Sequence, residues 1–217
     1  MEYIIGHFHL FWPAALMTLE VTVLGILVGM TLGIVFALMR LSHLWILQWP
    51  ARAYIWIVRG TPLLLQLLMI YFGLVNFIRF DDFPAAFIAL GIHNGAYIAE
   101  IFRGAIQSID VGQREAGVSL GMTRTKVMRR IIFPQAFKRA LPPLSNQFII
   151  ALKDSSLASS IAIPELLLKA KQLGSSNFMM LEALAIAAIF YLIMTSLLTI
   201  GTGLIERRLK VGGRSAA

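Results

Sequence analysis

Long runs without a charged residue limit what this chain can fold into. Residues 21–39 carry no charge over 19 positions, 60–78 repeat the pattern, 83–99 carry none over 17, and 183–205 none over 23. A fifth run, 140–152, is uncharged for 13 residues, meets Lys153 and Asp154, and resumes as far as Pro164. A helix needs about 20 apolar residues to cross the ~30 Å hydrocarbon of a bilayer. The composition agrees: 58% of the 217 residues are hydrophobic and 14% charged, against roughly 45–50% and about 25% in soluble domains. The expected fold is therefore all-α, a polytopic membrane protein with five transmembrane helices. Pro142 and Pro143 suit the first turn of the fourth, where their missing N–H groups are not needed. Residues 1–19, with aromatics, His and Pro13, read as an interfacial segment ahead of the first span.

Lys and Arg set the orientation. The loop after the first span holds Arg40 and Arg52, with Arg59 entering the second. The loop after the third holds Arg103, Arg114, Arg124, Lys126, Arg129, Arg130, Lys138 and Arg139, and the tail holds Arg207, Arg208, Lys210 and Arg214. The opposite side receives Arg79, Lys169 and Lys171, so 15 cations face 3, with Lys153 inside the membrane. The N-terminus is expected outside and the C-terminus in the cytoplasm. Glu2, in place of a basic n-region, argues against a cleavable signal peptide. The net charge of +8 belongs to the flanks of apolar runs and needs no nucleic acid to explain it.

Several functions lack their chemistry. There is no Cys, and His7, His9, His43 and His93 are scattered, so no metal or thiol site is expected. Gly201-Thr202-Gly203 lies in an apolar run without the Lys of a phosphate-binding loop. No nucleophile–base set is recognisable, which disfavours a membrane-embedded enzyme. The chain is expected to be no enzyme and to hold no cofactor. No repeat or second domain is visible, so 1–217 reads as one transmembrane domain.

The segment 108–134 carries the most information. Asp110 can cap a helix from Val111 to about Leu120. Gly121 suits the left-handed position that stops it, and Thr123 can cap a second short helix from Arg124 to about Ile132, ended by Pro134. The result is a rigid helical elbow presenting Met122, Glu115 and Arg124.

Glu115-Ala116-Gly117, three residues, Gly121, nine residues, Ile131, one residue, Phe133-Pro134 resembles the Glu-Ala-Ala loop of ABC importer permeases. Gly117 stands where that pattern has Ala, and Phe133 where it has Leu. Gly117 would loosen the first short helix by roughly 1 kcal/mol. Arg59-Gly60-Thr61-Pro62-Leu63 with Gln66, Ala96-Tyr97-Ile98-Ala99-Glu100 with Arg103-Gly104, Ala140-Leu141-Pro142-Pro143-Leu144-Ser145-Asn146 and Lys153-Asp154-Ser155-Ser156-Leu157 are similar to the polar amino acid group: histidine, glutamine, arginine and cystine permeases.

The resemblance implies the type I ABC importer permease fold in a bacterial inner membrane. It also implies a second permease chain, homodimeric or heterodimeric, and two ATP-binding cassette ATPases that hold ATP and Mg. An external solute-binding protein would deliver an amino acid, with cystine or a basic amino acid among the candidates. The loop would be the coupling element docked on the ATPase, through Glu115, Ala116, Gly121, Met122, Thr123, Arg124 and Pro134.

Charges within the hydrocarbon need partners or a cavity. His93, Tyr97 and Glu100 follow i, i+4, i+7 spacing on one face, with Asn94 beside them. Gln147, Ala151, Asp154 and Ala158 share another. Glu100 and Asp154 could accept an ammonium, and Asn94, Ser155 and Ser156 could donate to a carboxylate, with Tyr97 on the same pathway. Structural readings stand beside these: Glu100 neutralising Arg103, Lys153 and Asp154 pairing with protein groups, and Arg59 as an interface anchor. Gly25, Gly29 and Gly33 suit close helix packing. The other function left open is a proton-coupled secondary amino acid transporter, with Glu100 and Asp154 carrying protons.

Overall fold

The computed structural model describes residues 6–209. Glu2, Lys210 and Arg214, which bear on the signal peptide and the orientation, lie outside them. Among the described residues every regular element is helical: a 3-10 turn Phe8–Phe11, then α1 (Trp12–Leu41), α2 (Trp45–Arg59), α3 (Leu63–Leu68), α4 (Asp82–Gln107), α5 (Val111–Ser119), α6 (Arg124–Val127), α7 (Phe133–Asp154), α8 (Leu166–Asn177) and α9 (Met180–Arg208).

Three helical segments are long and apolar enough to cross a bilayer: Phe8–Leu41, Asp82–Gln107 and Met180–Arg208. The first crossing thus starts well before residue 21. Pro13 sits in the first turn of α1, where it costs no hydrogen bond, and the expected interfacial segment 1–19 is instead helical from Trp12. The second expected span, 60–78, is not one straight helix. α2 and the segment Leu63–Gly73 meet at a bend of 107°. Pro62 has no N–H to continue α2 and disfavours helical backbone at Thr61, so the chain breaks at Gly60–Pro62 and restarts at Leu63. The fifth long segment is α7. Its prolines, Pro142 and Pro143, lie inside the helix rather than in a first turn. It then tightens to a 3-10 turn, Ser155–Ile161, that ends on left-handed Ala162 (φ 65°). The described residues thus hold three candidate crossings, or four with the bent pair; α7, interrupted by proline and charge, is not among them, so five is an approximate count.

α1 and α4 form the centre. A Cβ added at Gly25 would meet Leu90 at 2.8 Å; at Gly29, Asn94 Cβ at 3.2 Å; and at Gly33, Ile98 Cγ2 at 2.4 Å and Cβ at 2.7 Å. The pairing advances the same way on both helices, so they run parallel with their backbones nearly touching. Small residues make that approach possible. Around this seam, Ala37, Ile55, Val58, Ala99, Phe102 and Ile106 form a core that continues into Val127, Ile132 and Ala136 of the loop end. The loop is therefore rooted in the same core as the spans. A second core joins Val21, Leu63, Leu67 and Ala86 with Ala158 and Ile161.

Gly33→Ala is expected to destabilise the chain by about 1–3 kcal/mol, the cost of overpacking a tight seam. Gly104→Ala, where an added Cβ meets nothing within 4 Å, is expected to be neutral or stabilising by up to ~1 kcal/mol. Thermal unfolding of the two variants in detergent separates them.

Candidate functional site

The loop end is built as an elbow. The Asp110 carboxylate accepts from Gly112 N at 2.7 Å and caps α5. Gly121 has φ +74°, the left-handed conformation that Gly adopts without a Cβ penalty. Gly121 N donates to Val118 O and Met122 N to Gly117 O, which closes α5 and turns the chain toward α6. Thr123 Oγ1 accepts from Lys126 N at 3.4 Å at the start of α6.

Two expectations change here. Pro134 does not end the second short helix. Residues Met128–Ile132 widen into a π turn, with Phe133 N bonding Met128 O, and α7 continues without a gap. A proline cannot donate to the preceding turn; the π turn re-registers the ladder so that Pro134 falls in the first turn of α7. Gly117 does not loosen the elbow either. It is buried, and a Cβ there would lie 2.8 Å from Val127 Cγ2 and 3.0 Å from Ile131 Cδ1. The missing methyl lets α5 rest on α6.

Side chains fasten the elbow to the spans. Gln135 Nε2 donates to Gln113 Oε1 on α5 and to Ile131 O. Arg139 Nη1 donates to Ser108 O and to Ser108 Oγ at the end of α4. Between the elbow and the ends of α1 and α4 lies a cleft of about 710 Å³, lined by Glu115, Arg124, Met128, Val118, His43 and Gln107 among others. Glu115, Ala116, Gly121, Thr123, Arg124 and Pro134 are exposed and Met122 is half-buried, so the elbow offers both charged and apolar groups to solvent.

The polar residues of the spans separate into two groups. Asn94 is fully buried. Its amide donates to Leu90 O at 2.7 Å, and its Oδ1 accepts from Gln147 Nε2 at 2.7 Å. Both ends are satisfied, and the pair ties α4 to α7. Ser155 is also buried, its hydroxyl bonded to Leu152 O. Ser156 is half-buried. Asp154 and Ser155 line a small cavity with Val21, Leu63 and Leu67. Lys153 is exposed. Among the described residues the ion pairs are Arg103–Glu100 at 2.7 Å and Arg40–Glu100 at 3.7 Å, and neither Lys153 nor Asp154 belongs to one. Glu100 is committed to arginines, in line with the structural reading of it.

The face of His93, Tyr97 and Glu100 meets the break between α2 and α3. Gln66 Nε2 donates to Val58 O, Thr61 O and Thr61 Oγ1 at 2.8, 3.1 and 2.8 Å. Its Oε1 lies 3.2 Å from His93 Nδ1. His93 and Tyr97 rings are 5.1 Å apart, and the Arg59 guanidinium sits 5.2 Å above the Tyr97 ring. The sequence shows Gln66 only as part of a motif and Arg59 only as an anchor at the interface. Nothing in sequence spacing places either against α4; only the bend does.

Glu165 is a further polar residue that the sequence patterns do not single out. It is fully buried, accepts from Leu167 N and Leu168 N at 2.8 Å each, and accepts from Tyr191 Oη at 2.9 Å. It caps α8 and joins it to α9. The available signal is its place just before the apolar start of α8, since a carboxylate suits a helix N-terminus.

Comparison with known proteins gives a consistent picture. A family model described as "Binding-protein-dependent transport system inner membrane component" matches residues 29–211. The glutamine transport system permease protein GlnP of Escherichia coli (strain K12) is 42% identical over 210 residues, covering 92% of this chain and 96% of that protein. The L-cystine transport system permease protein TcyB of Bacillus subtilis (strain 168) is 42% identical over 205 residues, covering 92% and 88%. A crystal structure of an amino acid ABC transporter with histidines superposes with a TM-score of 0.90 at 40% identity, over 95% of this chain and 97% of that one. The inward-facing MetNI methionine ABC transporter shares the fold, with a TM-score of 0.71 at 21% identity.

Removing one partner of the Asn94–Gln147 pair leaves a buried amide unsatisfied. Asn94→Ala and Gln147→Leu are each expected to lower stability by about 1–3 kcal/mol, with the double variant losing less than the sum. Unfolding midpoints of the three variants in detergent test this; strict additivity counts against a direct bond.

Proposed function

The chain belongs to the family of binding-protein-dependent transport system inner membrane components, and on that premise we propose how it works as a permease of an ABC importer of polar amino acids. An external solute-binding protein delivers the amino acid. Two ATPase subunits, which alone hold ATP and Mg, grip the elbow through Glu115, Gly121, Met122 and Arg124. A second permease chain, identical or related, completes the path. The proton-coupled secondary transporter is not favoured, because the relatives serve binding-protein-dependent systems.

One observation carries the coupling role: the elbow has no flexible joint on its downstream side. α6, the π turn and α7 form one helical run from Arg124 to Asp154. A force applied at α6 therefore reaches Gln147 and Asp154 without passing through a loop. Rigid elements transmit displacement, whereas a flexible linker absorbs it. The excess of Lys and Arg at this end supports a cytoplasmic elbow, with the N-terminus outside. The multi-pass chain sits in a bacterial inner membrane. Asp154 and Ser155, at the end of that run and beside α3, form the polar part of the path with Ser156 and Tyr97.

Gly121→Pro replaces a φ of +74° with one fixed near −65°, and Glu115→Lys reverses charge on the gripping surface. Both are expected to leave the chain in the membrane but abolish ATPase co-purification or uptake. Normal ATP-driven uptake by both would sink the coupling role. Asp154→Ala is expected to lower uptake with the complex still assembled. Unaltered flux and affinity would make Asp154 structural.

A further inference from the structure

Arg59 is a cation at the break between α2 and α3 that makes no ion pair within 4 Å among the described residues. Tyr97 stands ten residues before the end of α4, about 15 Å along the axis at 1.5 Å per residue. That is near half the ~30 Å hydrocarbon depth. The Arg59 guanidinium stacks on this ring, one helical turn further from the loop than Glu100 and the arginines that hold it. A charge at such depth needs a partner or a wet cavity. The ion pairs among the described residues are Arg40 and Arg103 with Glu100; Arg59 makes no ion pair within 4 Å, its charge acts on Glu100 only from a distance, and it is exposed.

Its setting is preformed. Arg59 ends α2 at the 107° bend. The carbonyls freed by the break are taken up locally: Trp56 O by Gly60 N, Ile57 O by Thr61 Oγ1, and Val58 O by Gln66. Gln66 in turn reaches His93 on α4, and Tyr54 Oη donates to Ile92 O. The bend is pinned on both sides, and it aims a planar, permanently charged fork over an aromatic face. Broken helices form ligand sites near mid-depth in secondary transporters. A guanidinium matches a carboxylate bidentately.

We propose that Arg59, stacked on Tyr97 at the break between α2 and α3, is the anchor for the α-carboxylate of the transported amino acid and selects against solutes that lack one. This rests on the amino acid permease reading above. It assigns Glu100 no substrate role, since Arg40 and Arg103 already occupy it.

The test uses the permease–ATPase complex in nanodiscs without solute-binding protein, so that any selection belongs to the membrane domain. The probes are L-glutamine, L-arginine and L-cystine, each beside its α-carboxamide counterpart. The wild type is expected to prefer the carboxylate form. Arg59→Gln is expected to weaken that form roughly tenfold or more, leave the amide unchanged, and so erase the preference. Should Arg59→Gln fail to assemble, Arg59→Lys is expected to weaken carboxylate binding several-fold while keeping the preference. An intact preference in Arg59→Gln, unchanged affinity in Arg59→Lys, or no binding of any probe by the wild type overturns the proposal. ATP-driven uptake by the wild-type complex in proteoliposomes with its binding protein keeps the transport reading standing in each of those cases; its absence would count against that reading instead.

Discussion

The absence of water in the hydrocarbon governs this structure. A backbone N–H or C=O left unpaired there costs several kcal/mol, so spanning segments must satisfy themselves by helix. That is why every regular element among the described residues is helical, and why departures from the α ladder are repaired. The end of α7 is met by a 3-10 turn and the break at Gly60–Pro62 by Gln66; at the elbow, outside the spans, Pro134 is met by a π turn. Irregular backbone at depth survives only where protein or a wet cavity covers it. The one large irregularity, the 107° bend, accordingly lies against His93 and Tyr97 of α4. The same solvent explains why Leu27, Leu64, Leu192, Leu197 and Leu204 remain exposed on the isolated chain: lipid or a second chain is as good a neighbour for them as a core.

Uncharged runs and turn chemistry are the legible part of the sequence. α1, α4 and α9 come from apolar length alone, and the elbow comes from Asp110, Gly121 and Thr123, whose roles are local. Proline is harder to read. Pro134 looks like a stop because a proline usually ends the helix before it, yet it can equally start the next one. The deciding factor is the π turn at Met128–Ile132, which no pattern of side chains announces. Pro142 and Pro143 do not begin a helix because the one that holds them starts at Phe133, under a run of cations that marks a loop by composition. In the second span, length argues for a straight crossing and the single Pro62 argues against it. The proline wins, because a missing donor at mid-depth cannot be made good by water.

The polar residues divide along the same line. Spacing along one helix puts His93, Tyr97 and Glu100 on a common face, and the fold keeps them there. Which of them is spent structurally depends on partners from other helices, and single-helix periodicity is blind to those. Arg40 arrives from α1 to share Glu100. Gln147 arrives from α7 to satisfy Asn94. Gln66 arrives from beyond a bend. The residue types suit a zwitterion, but the assignment of donors changes once these partners are counted: Asn94 is closed on both sides, while Arg59 is open.

The elbow and the bend are mechanically linked. α7 leaves the elbow, crosses α4 at Asn94–Gln147, and ends at Asp154 beside Leu63 and Leu67 of α3. α3 is the far arm of the bend that holds Arg59. Under the proposed coupling, a displacement of α6 would pull on α7, and the end of α7 would bear on α3, while α1 and α4 stay locked by their glycine seam. In such an arrangement the fixed pair is the frame, and the α2–α3 bend is joined to it by single hydrogen bonds at Tyr54 and Gln66. A ligand held at Arg59 would then change its surroundings through the motion of α3, with no separate gate required.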